Sequence, residues 1–207
     1  MNCRAVIFDL DGVLLDAREW HYEALNRALG LFGYGIERSH HLSEFDGLPT
    51  KDKLERLTER GSFPAHLHPV IHALKQRFTM EYLHSRTMPT FAHEYALARL
   101  QREGVTIGVA SNSVRATVQA ALELTGLADY VTLALSNEDV IRAKPDPEIY
   151  ETSMSRLGVS PAETVIVEDN DNGVQAAIAS GATVVRVTGP EEVTYERIAS
   201  AIIGGQQ

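Results

Sequence analysis

The sequence predicts an α/β protein in which a doubly wound parallel sheet is interrupted by an inserted helical segment. From Pro89 onward, short runs rich in β-branched residues alternate with amphipathic stretches. Such alternation is typical of a parallel sheet that is covered by helices. Between residues 17 and 88 the periodicity is helical instead, and β-branched runs are almost absent.

The first strand is predicted at residues 5–8, where Ala-Val-Ile-Phe precedes two aspartates and a glycine turn. Amphipathic helices are predicted at residues 114–124 and 147–157, between later strands. Those later strands are predicted at residues 105–110, 131–135, 164–167 and 182–187. The chain therefore has about five strands, and the helical segment follows the first of them.

The helical segment also differs from the rest of the chain in charge. Residues 17–88 contain ten Lys or Arg and nine Asp or Glu, which gives +1, whereas the remainder contains nine against nineteen, which gives -10. Glycines and prolines divide the segment into several helices. We therefore predict an α/β domain made of residues 1–16 and 87–207, and a helical domain made of residues 17–86.

Composition excludes several classes of partner. The chain of 207 residues has a net charge of -9, which argues against binding to a nucleic-acid backbone. No apolar run approaches the roughly 18 residues that span a membrane, so we expect no membrane partner. Cys3 is the only cysteine, which rules out an internal disulfide and fits a reducing compartment. We expect a cytoplasmic monomer.

Polar residues follow the predicted strands, and ligands of a doubly wound sheet bind beyond the carboxyl ends of its strands. These residues are Asp9 and Asp11 after the first strand, Ser111 after the second, Lys144 after the third, and Glu168 and Asp169 after the fourth. Carboxylates hold Mg²⁺, a hydroxyl and a lysine bind phosphoryl oxygens, and an aspartate can attack phosphorus. The set therefore predicts Mg²⁺-assisted phosphoryl transfer.

Four motifs that contain these residues resemble those of the haloacid dehalogenase superfamily of phosphohydrolases. They are FDLDG at 8–12, VASNS at 109–113, KPDPEIY at 144–150 and VEDNDNG at 167–173, in the order of the family. The resemblance implies a Rossmann-like core, Mg²⁺ as the cofactor, and a helical cap as in the β-phosphoglucomutase-like branch. Asp11 argues against a true dehalogenase, because the resemblance gives those enzymes no aspartate at its position.

The resemblance also implies a role for each motif residue. Asp9 would be the nucleophile that forms an aspartyl-phosphate, and its carboxylate would bind Mg²⁺. Asp11 would be the general acid and base, with its backbone carbonyl on the metal. Ser111 and Lys144 would bind the transferred phosphoryl group, and Mg²⁺ and Lys144 should together hold the pKa of Asp9 down.

Further motif residues would complete the site. Asn112 would share the binding of the phosphoryl group, and residues around Gly12 would supply backbone N–H groups. Asp169 would ligate Mg²⁺, and Glu168 would support the metal directly or through water.

Three residues of the helical domain match substrate-binding positions of the cap less specifically. These are His21, Thr50 and Lys51, and for His21 an ordinary place on an amphipathic helix explains the sequence equally well. A zinc site is disfavoured, although His68 and His72 have the i, i+4 spacing of paired ligands, because no nearby cysteine or HExxH pattern accompanies them.

Three functions are consistent with these residues. The leading hypothesis is a Mg²⁺-dependent phosphatase that hydrolyses a small phosphorylated metabolite, a sugar or polyol phosphomonoester. A phosphomutase of the β-phosphoglucomutase type would use the same core but return the phosphoryl group to the sugar. The third is a non-catalytic phosphoacceptor or binding module, because response-regulator receivers combine similar residues; the large segment inserted after the first strand argues against it.

Overall fold

The computed structural model describes residues 3–61 and 63–204, and it confirms the predicted fold class. Five parallel strands form one sheet in the order β3-β2-β1-β4-β5, so the first strand lies at its centre. The strands are β1 (Ala5–Phe8), β2 (Thr106–Ala110), β3 (Leu133–Leu135), β4 (Thr164–Glu168) and β5 (Thr183–Arg186).

Nine α-helices surround or precede these strands in the part of the chain that the structure describes. They are α1 (Arg18–Gly30), α2 (Arg38–His40), α3 (Thr50–Glu59), α4 (His68–Arg86), α5 (Phe91–Arg102), α6 (Arg115–Leu124), α7 (Glu148–Leu157), α8 (Asp171–Ala179) and α9 (Tyr195–Gly204). A π-helical turn, His41–Phe45, continues from α2. None of the described helices combines the length and the apolar character that a membrane crossing requires.

The register of the sheet brings the ends of three strands together. Ala5 of β1 pairs with Thr106 of β2 on one side and with Thr164 of β4 on the other. All four residues of β1 are completely buried, as expected for a central strand of a parallel sheet. The residues that follow β1, β2 and β4 therefore emerge at the same edge.

Strand β3 begins later than its apolar pattern predicts. The sequence predicts a strand over residues 131–135, but β3 begins at Leu133. A 3-10 turn at Ala128–Tyr130 occupies the chain just before it, and the N–H of Val131 closes that turn on the carbonyl of Ala128. Local hydrogen bonding therefore delays the strand.

The chain divides into two compact units. The α/β unit comprises Met1–Asp16 and Met88–Gln207, and the helical unit comprises Ala17–Thr87. The core of the α/β unit contains Ile7, Ile149, Tyr150 and Ile166 among others. The helical unit has a core of its own, which includes Leu25, Leu29, Phe45, Leu54 and Ile71.

Candidate active site

Asp9 and Lys144 form a buried ion pair at the carboxyl end of β1. The Asp9 side chain directly follows the strand, and its N–H donates to the carbonyl of Val167 in β4 at 2.9 Å. Lys144 Nζ donates to Asp9 Oδ1 at 2.7 Å and to the carbonyl of Ala110, the last residue of β2, at 2.8 Å. Both residues are less than 5 % exposed. Lys144 is therefore fixed against the acid that the sequence predicts as nucleophile.

Glu168 holds the other side of Lys144. Its Oε1 accepts from Lys144 Nζ at 2.7 Å and from the Tyr150 hydroxyl, and its Oε2 accepts from the Asp169 N–H at 3.1 Å. The carboxylate is completely buried, and a Cβ on Gly173 would lie only 1.9 Å from its Oε1. Glu168 is thus enclosed on all these sides, and it orients Lys144.

Burial dominates the electrostatics of this cluster. It raises the pKa of Asp9 well above the ordinary value; Lys144 lowers that pKa, while Glu168, Asp169 and Asp11 raise it further. Burial also lowers the pKa of Lys144, but Asp9 and Glu168 more than offset this, so its pKa is raised and it stays protonated. Lys144 therefore acts on Asp9 in the predicted direction, but alone it does not overcome the loss of hydration.

Three buried carboxylates could hold the predicted metal. Asp9, Glu168 and Asp169 each offer an oxygen, and these oxygens all lie within 4.8 Å of one another. Oxygen donors of this kind suit a hard divalent cation such as Mg²⁺. A cation would also supply the positive charge that Asp9 needs in order to ionise. The donor set therefore fits Mg²⁺, whereas a ligand role for the Asp11 carbonyl stays a prediction.

Only glycine fits at position 12, because the Asp169 side chain lies directly against it. The φ of Gly12 is +93°, in the left-handed region that favours glycine, and a Cβ at this position would lie 2.1 Å from Asp169 Oδ2. Its N–H donates to the carbonyl of Leu15 at 2.7 Å. The turn after β1 can therefore pass directly beside a proposed metal ligand. Binding of phosphate by Gly12 stays a prediction.

The loop after β2 contacts the second aspartate. Ser111 is buried, and its Oγ accepts from the Ser113 N–H at 2.9 Å. Ser113 Oγ in turn donates to Asp11 Oδ2 at 2.6 Å. Since Ser111 Oγ accepts in this turn, its own O–H can still donate to a phosphoryl oxygen.

Asn112 has a structural function that the sequence did not reveal. Its Nδ2 donates to the carbonyl of Lys144 at 3.3 Å, and its Oδ1 accepts from the Lys144 N–H at 3.1 Å. The side-chain amide thus fixes the backbone that carries Lys144. Its predicted contact with the phosphoryl group is not tested by this geometry and stays a prediction.

The three residues predicted to bind substrate from the helical unit lie in different surroundings. His21 Nδ1 lies 3.0 Å from Lys75 Nζ, and Thr50 is the first residue of α3. Lys51 is exposed and pairs with Glu55 one turn later, at 3.8 Å. Their contacts with substrate remain predictions.

Other histidines of this unit have ordinary hydrogen-bond partners or face solvent. His68 Nε2 lies 2.7 Å from Thr58 Oγ1, and His72 is exposed. Within residues 3–61 and 63–204, no cluster of three potential metal ligands contains a histidine.

A second pair of basic residues in the helical unit was missed by the sequence analysis. Lys53 Nζ lies 3.4 Å from His41 Nε2, and both side chains are buried. Burial first, and then the nearby Lys53, lower the pKa of His41 to about 3. His41 is therefore neutral at physiological pH. Lys53 and Lys75 thus each contact a histidine in this unit.

Three residues of the site lie inside the recognised motifs but were given no role. They are Ser113, which contacts Asp11; Tyr150, which contacts Glu168; and Gly173, which packs against Glu168. Their membership of the motifs was the available signal. Motif spacing alone does not show which loop or helix side chain points at which carboxylate.

A family model described as haloacid dehalogenase-like hydrolase matches residues 6–187. The chain belongs to this family. The predicted resemblance is thereby confirmed, and the match extends across both units rather than over the four motifs alone. With relatives that are named as phosphatases, it identifies the chain as a phosphoric monoester hydrolase.

Several relatives in this family carry phosphatase names. The phosphoglycolate phosphatase of Cupriavidus necator is 32% identical and the match covers 90% of this chain and 81% of the relative. A phosphorylated carbohydrates phosphatase from Thermotoga maritima is 29% identical, with 86% and 81% covered. Pyrophosphatase PpaX of Oceanobacillus iheyensis is 28% identical, with 84% and 78% covered.

Solved structures show the same fold. β-Phosphoglucomutase of Clostridium difficile superposes with a TM-score of 0.83 at 22% identity and covers 98% of each chain. CbbY of Rhodobacter sphaeroides, solved with phosphate, gives a TM-score of 0.82 at 22% identity and covers 90% of this chain and 87% of its own. At this level of identity the similarity concerns the fold alone.

Proposed function

We propose that this hydrolase is a Mg²⁺-dependent phosphatase that cleaves a small phosphomonoester, a sugar or polyol phosphate, through an aspartyl-phosphate. The observation that carries the proposal is the buried Asp9 carboxylate, whose Oδ1 is held by Lys144 at 2.7 Å. Since one oxygen is held, the other can attack phosphorus in a fixed direction. In this proposal the α/β unit is the catalytic core and the helical unit is the cap.

The reaction has two steps. In the first, an Asp9 oxygen bonds to phosphorus while the bond from phosphorus to the ester oxygen breaks, and Asp11 gives its proton to the departing alkoxide. In the second, Asp11 takes a proton from water, whose oxygen attacks the aspartyl-phosphate and releases inorganic phosphate. Both aspartates return to their starting states, and the net reaction is the hydrolysis of one ester bond by one water molecule.

Positive charge is the requirement that both steps share. Lys144, held by Glu168, faces Asp9 and offsets the charge of the incoming phosphoryl group. Mg²⁺, when held by Asp9 and Asp169 with Glu168 beside them, would keep Asp9 ionised and neutralise phosphoryl oxygens. Ser111 and the N–H groups near Gly12 would bind the same oxygens as neutral donors.

Two observations support a small, anionic sugar-type substrate. Relatives are named for phosphorylated carbohydrates, phosphoglycolate and validoxylamine A 7'-phosphate. The helical unit places Lys53 and Lys75 each beside a histidine, which supplies donors for anionic or hydroxyl groups. His21, Thr50 and Lys51 are proposed to contribute to the same binding. The single cysteine, Cys3, supports a cytoplasmic location, and we propose a monomer.

The first prediction concerns the nucleophile. Asp9→Asn should lower turnover of p-nitrophenyl phosphate by more than about 1,000-fold, because removal of an attacking group abolishes the covalent route. The matched control is Asp16→Asn, which changes an exposed aspartate seven residues later and should leave turnover unchanged. Mg²⁺-dependent turnover retained by Asp9→Asn would show that the attacking group is not Asp9.

Three further measurements define the reaction. Acid-quenched mass spectrometry of the native protein with substrate should find one phosphoryl group on the peptide that contains Asp9, and EDTA should stop turnover. A panel of phosphorylated metabolites assayed for phosphate release should then give the substrate. Isomerised sugar phosphate without free phosphate, formed from a hexose 1-phosphate, would instead identify a phosphomutase.

A further inference from the structure

The hydroxyl of Ser113 contacts the residue that moves the proton in the proposed reaction. Ser113 Oγ donates to Asp11 Oδ2 at 2.6 Å. We propose that Ser113 is a positioning residue, which holds Asp11 in the orientation needed to protonate the ester oxygen of the substrate. This inference rests on the proposed function. It predicts that the contribution of Ser113 to the reaction rate depends on the leaving group of the substrate.

The backbone of Ser113 is held at both ends. Its N–H donates to Ser111 Oγ at 2.9 Å, and its carbonyl accepts from the Asn137 N–H at 3.1 Å. Asn137 Nδ2 also donates to the carbonyl of the preceding residue, Asn112, at 2.9 Å. The hydroxyl therefore extends from an anchored stretch of chain, and it meets Asp11 without a further ordering of the loop.

In the proposed arrangement, the hydrogen bond from Ser113 gives the two Asp11 oxygens different roles. A serine hydroxyl has one hydrogen, and here that hydrogen is directed at Oδ2. Oδ2 is then the carbonyl oxygen of protonated Asp11, and Oδ1 carries the proton. Oδ1–H gives its proton to the ester oxygen as the bond to phosphorus breaks, and Oδ1 later accepts the proton of the attacking water. Ser113 keeps its own proton throughout.

This arrangement predicts unequal effects on different substrates. An alkoxide is a poor leaving group and needs the proton as its bond to phosphorus breaks, whereas p-nitrophenolate leaves without one. Loss of the Ser113 hydroxyl should therefore slow the first step with alkyl phosphates much more than with aryl phosphates. A residue that bound the phosphoryl group itself would affect both substrates alike.

The experiment compares Ser113→Ala with the native protein on an alkyl phosphate from the substrate panel and on p-nitrophenyl phosphate. We expect kcat/KM to fall about 10-fold or more for the alkyl ester, because Asp11 becomes charged as it gives up its proton and would then lack this hydrogen bond, and less than about 3-fold for the aryl ester. The inhibition constant of inorganic phosphate should stay unchanged. Equal losses with both esters, or no loss with either, would overturn the proposal.

Variants keep the test independent of folding. Ser113→Thr retains the hydroxyl and should restore alkyl turnover, and Ser113→Cys, a weaker donor of similar size, should fall between Ser and Ala. Ser160→Ala removes a chemically similar bond, from Ser160 Oγ to Glu163 Oε2 at 2.7 Å, at an exposed position. It should leave both esters unaffected. If Ser113→Ala does not fold, the proposal is still tested by the order of alkyl turnover among the proteins with Ser, Thr and Cys at position 113.

A double mutant tests whether Ser113 acts through Asp11. In an Asp11→Asn background, Ser113→Ala should cause no further loss of alkyl turnover, because the proton donor is already gone. An undiminished loss would mean that Ser113 acts on substrate directly and would overturn the inference. The proposed function fails separately, when the native protein and Asp9→Asn release phosphate at the same rate.

Discussion

At the level of single residues, the buried ion pair depends on a hydroxyl that the sequence analysis passed over. Tyr150 is completely buried, its hydroxyl donates to Glu168 Oε1, and Lys144 Nζ lies 4.7 Å from the centre of its ring. Glu168 Oε1 therefore accepts from Tyr150 and Lys144 together. Removing one donor leaves the shared acceptor incompletely satisfied in a place that water does not reach.

Tyr150→Phe is the matching test, because it keeps the ring and removes only the hydroxyl. We expect the free energy of unfolding to fall by about 1.5–3 kcal/mol, as for a lost hydrogen bond to a charged group. Turnover should fall with it, since Lys144 loses a fixed partner.

Ser153→Ala is the control for Tyr150→Phe. It lies one turn later on α7 and removes a buried hydroxyl that donates to the carbonyl of Ile149, at 2.7 Å. It should change turnover little and cost about 1 kcal/mol of stability at most. Urea unfolding and steady-state kinetics measure both quantities, and unchanged turnover of Tyr150→Phe would remove this tyrosine from the site.

Some residues of the site could be predicted from the sequence, and others could not. Asp9, Lys144, Glu168 and Asp169 are identifiable because each lies at or after the end of a strand, at one edge of the sheet. The contacts of Tyr150, Ser113 and Asn112 could not be identified in this way, because they depend on side-chain directions within a loop or the first turn of a helix. Strand order specifies the edge of the sheet, but not those directions.

At the level of elements, the start of α8 is built around the carboxylate of Glu168. Asn170 caps the helix, with its Oδ1 accepting from the Gly173 N–H at 3.0 Å. Gly173 is the third residue of α8, and it lies against Glu168 so closely that a Cβ would come within 1.9 Å of Oε1. The helix can therefore begin here only with a glycine at its third position.

This packing reverses an ordinary helix rule. Replacing glycine by alanine within a helix usually stabilises it by about 1 kcal/mol, but Gly173→Ala should destabilise the protein by about 1–3 kcal/mol through overpacking. Turnover should also fall, because Glu168 would have to move away from Lys144. Gly30→Ala at the end of α1, where a Cβ would meet nothing within 4 Å, is the control and should not destabilise. Thermal unfolding of both variants shows whether each substitution stabilises or destabilises the protein.

At the level of the whole molecule, charge is distributed unevenly between the units. The helical unit has a net charge of +1 and the remainder of the chain -10, counted over the sequence. This asymmetry and the change of periodicity predicted two parts of the chain. They did not predict that the helical unit would bury basic side chains of its own. His41 and Lys53 lie in none of the recognised motifs, and only tertiary packing brings them together.

The final prediction concerns how the pH dependence of stability arises in the helical unit. Burial, followed by the effects of Lys53 on α3 and His21 on α1, lowers the pKa of His41 to about 3; Glu19 on α1 acts in the opposite direction, and Lys75 on α4 lowers it further. Unfolded, the same histidine has a pKa of about 6.5. Between these values the unfolded chain binds the extra proton. The free energy of unfolding should therefore decrease as the pH falls from about 6.5 towards 3, by at most about 1.4 kcal/mol per pH unit.

His41→Gln isolates this contribution, because it removes the titrating group and keeps a polar side chain. Urea unfolding can be followed by the fluorescence of Trp20, the only tryptophan, which lies in α1 of the same unit. Between about pH 4.5 and 6.5, the stability of the variant should depend less steeply on pH than that of the native protein. The control is His66→Gln, at an exposed histidine, which should keep the native slope. Equal slopes for His41→Gln and the native protein would show that the pKa of His41 is the same in the folded and unfolded states, because only then does unfolding take up no proton at this residue.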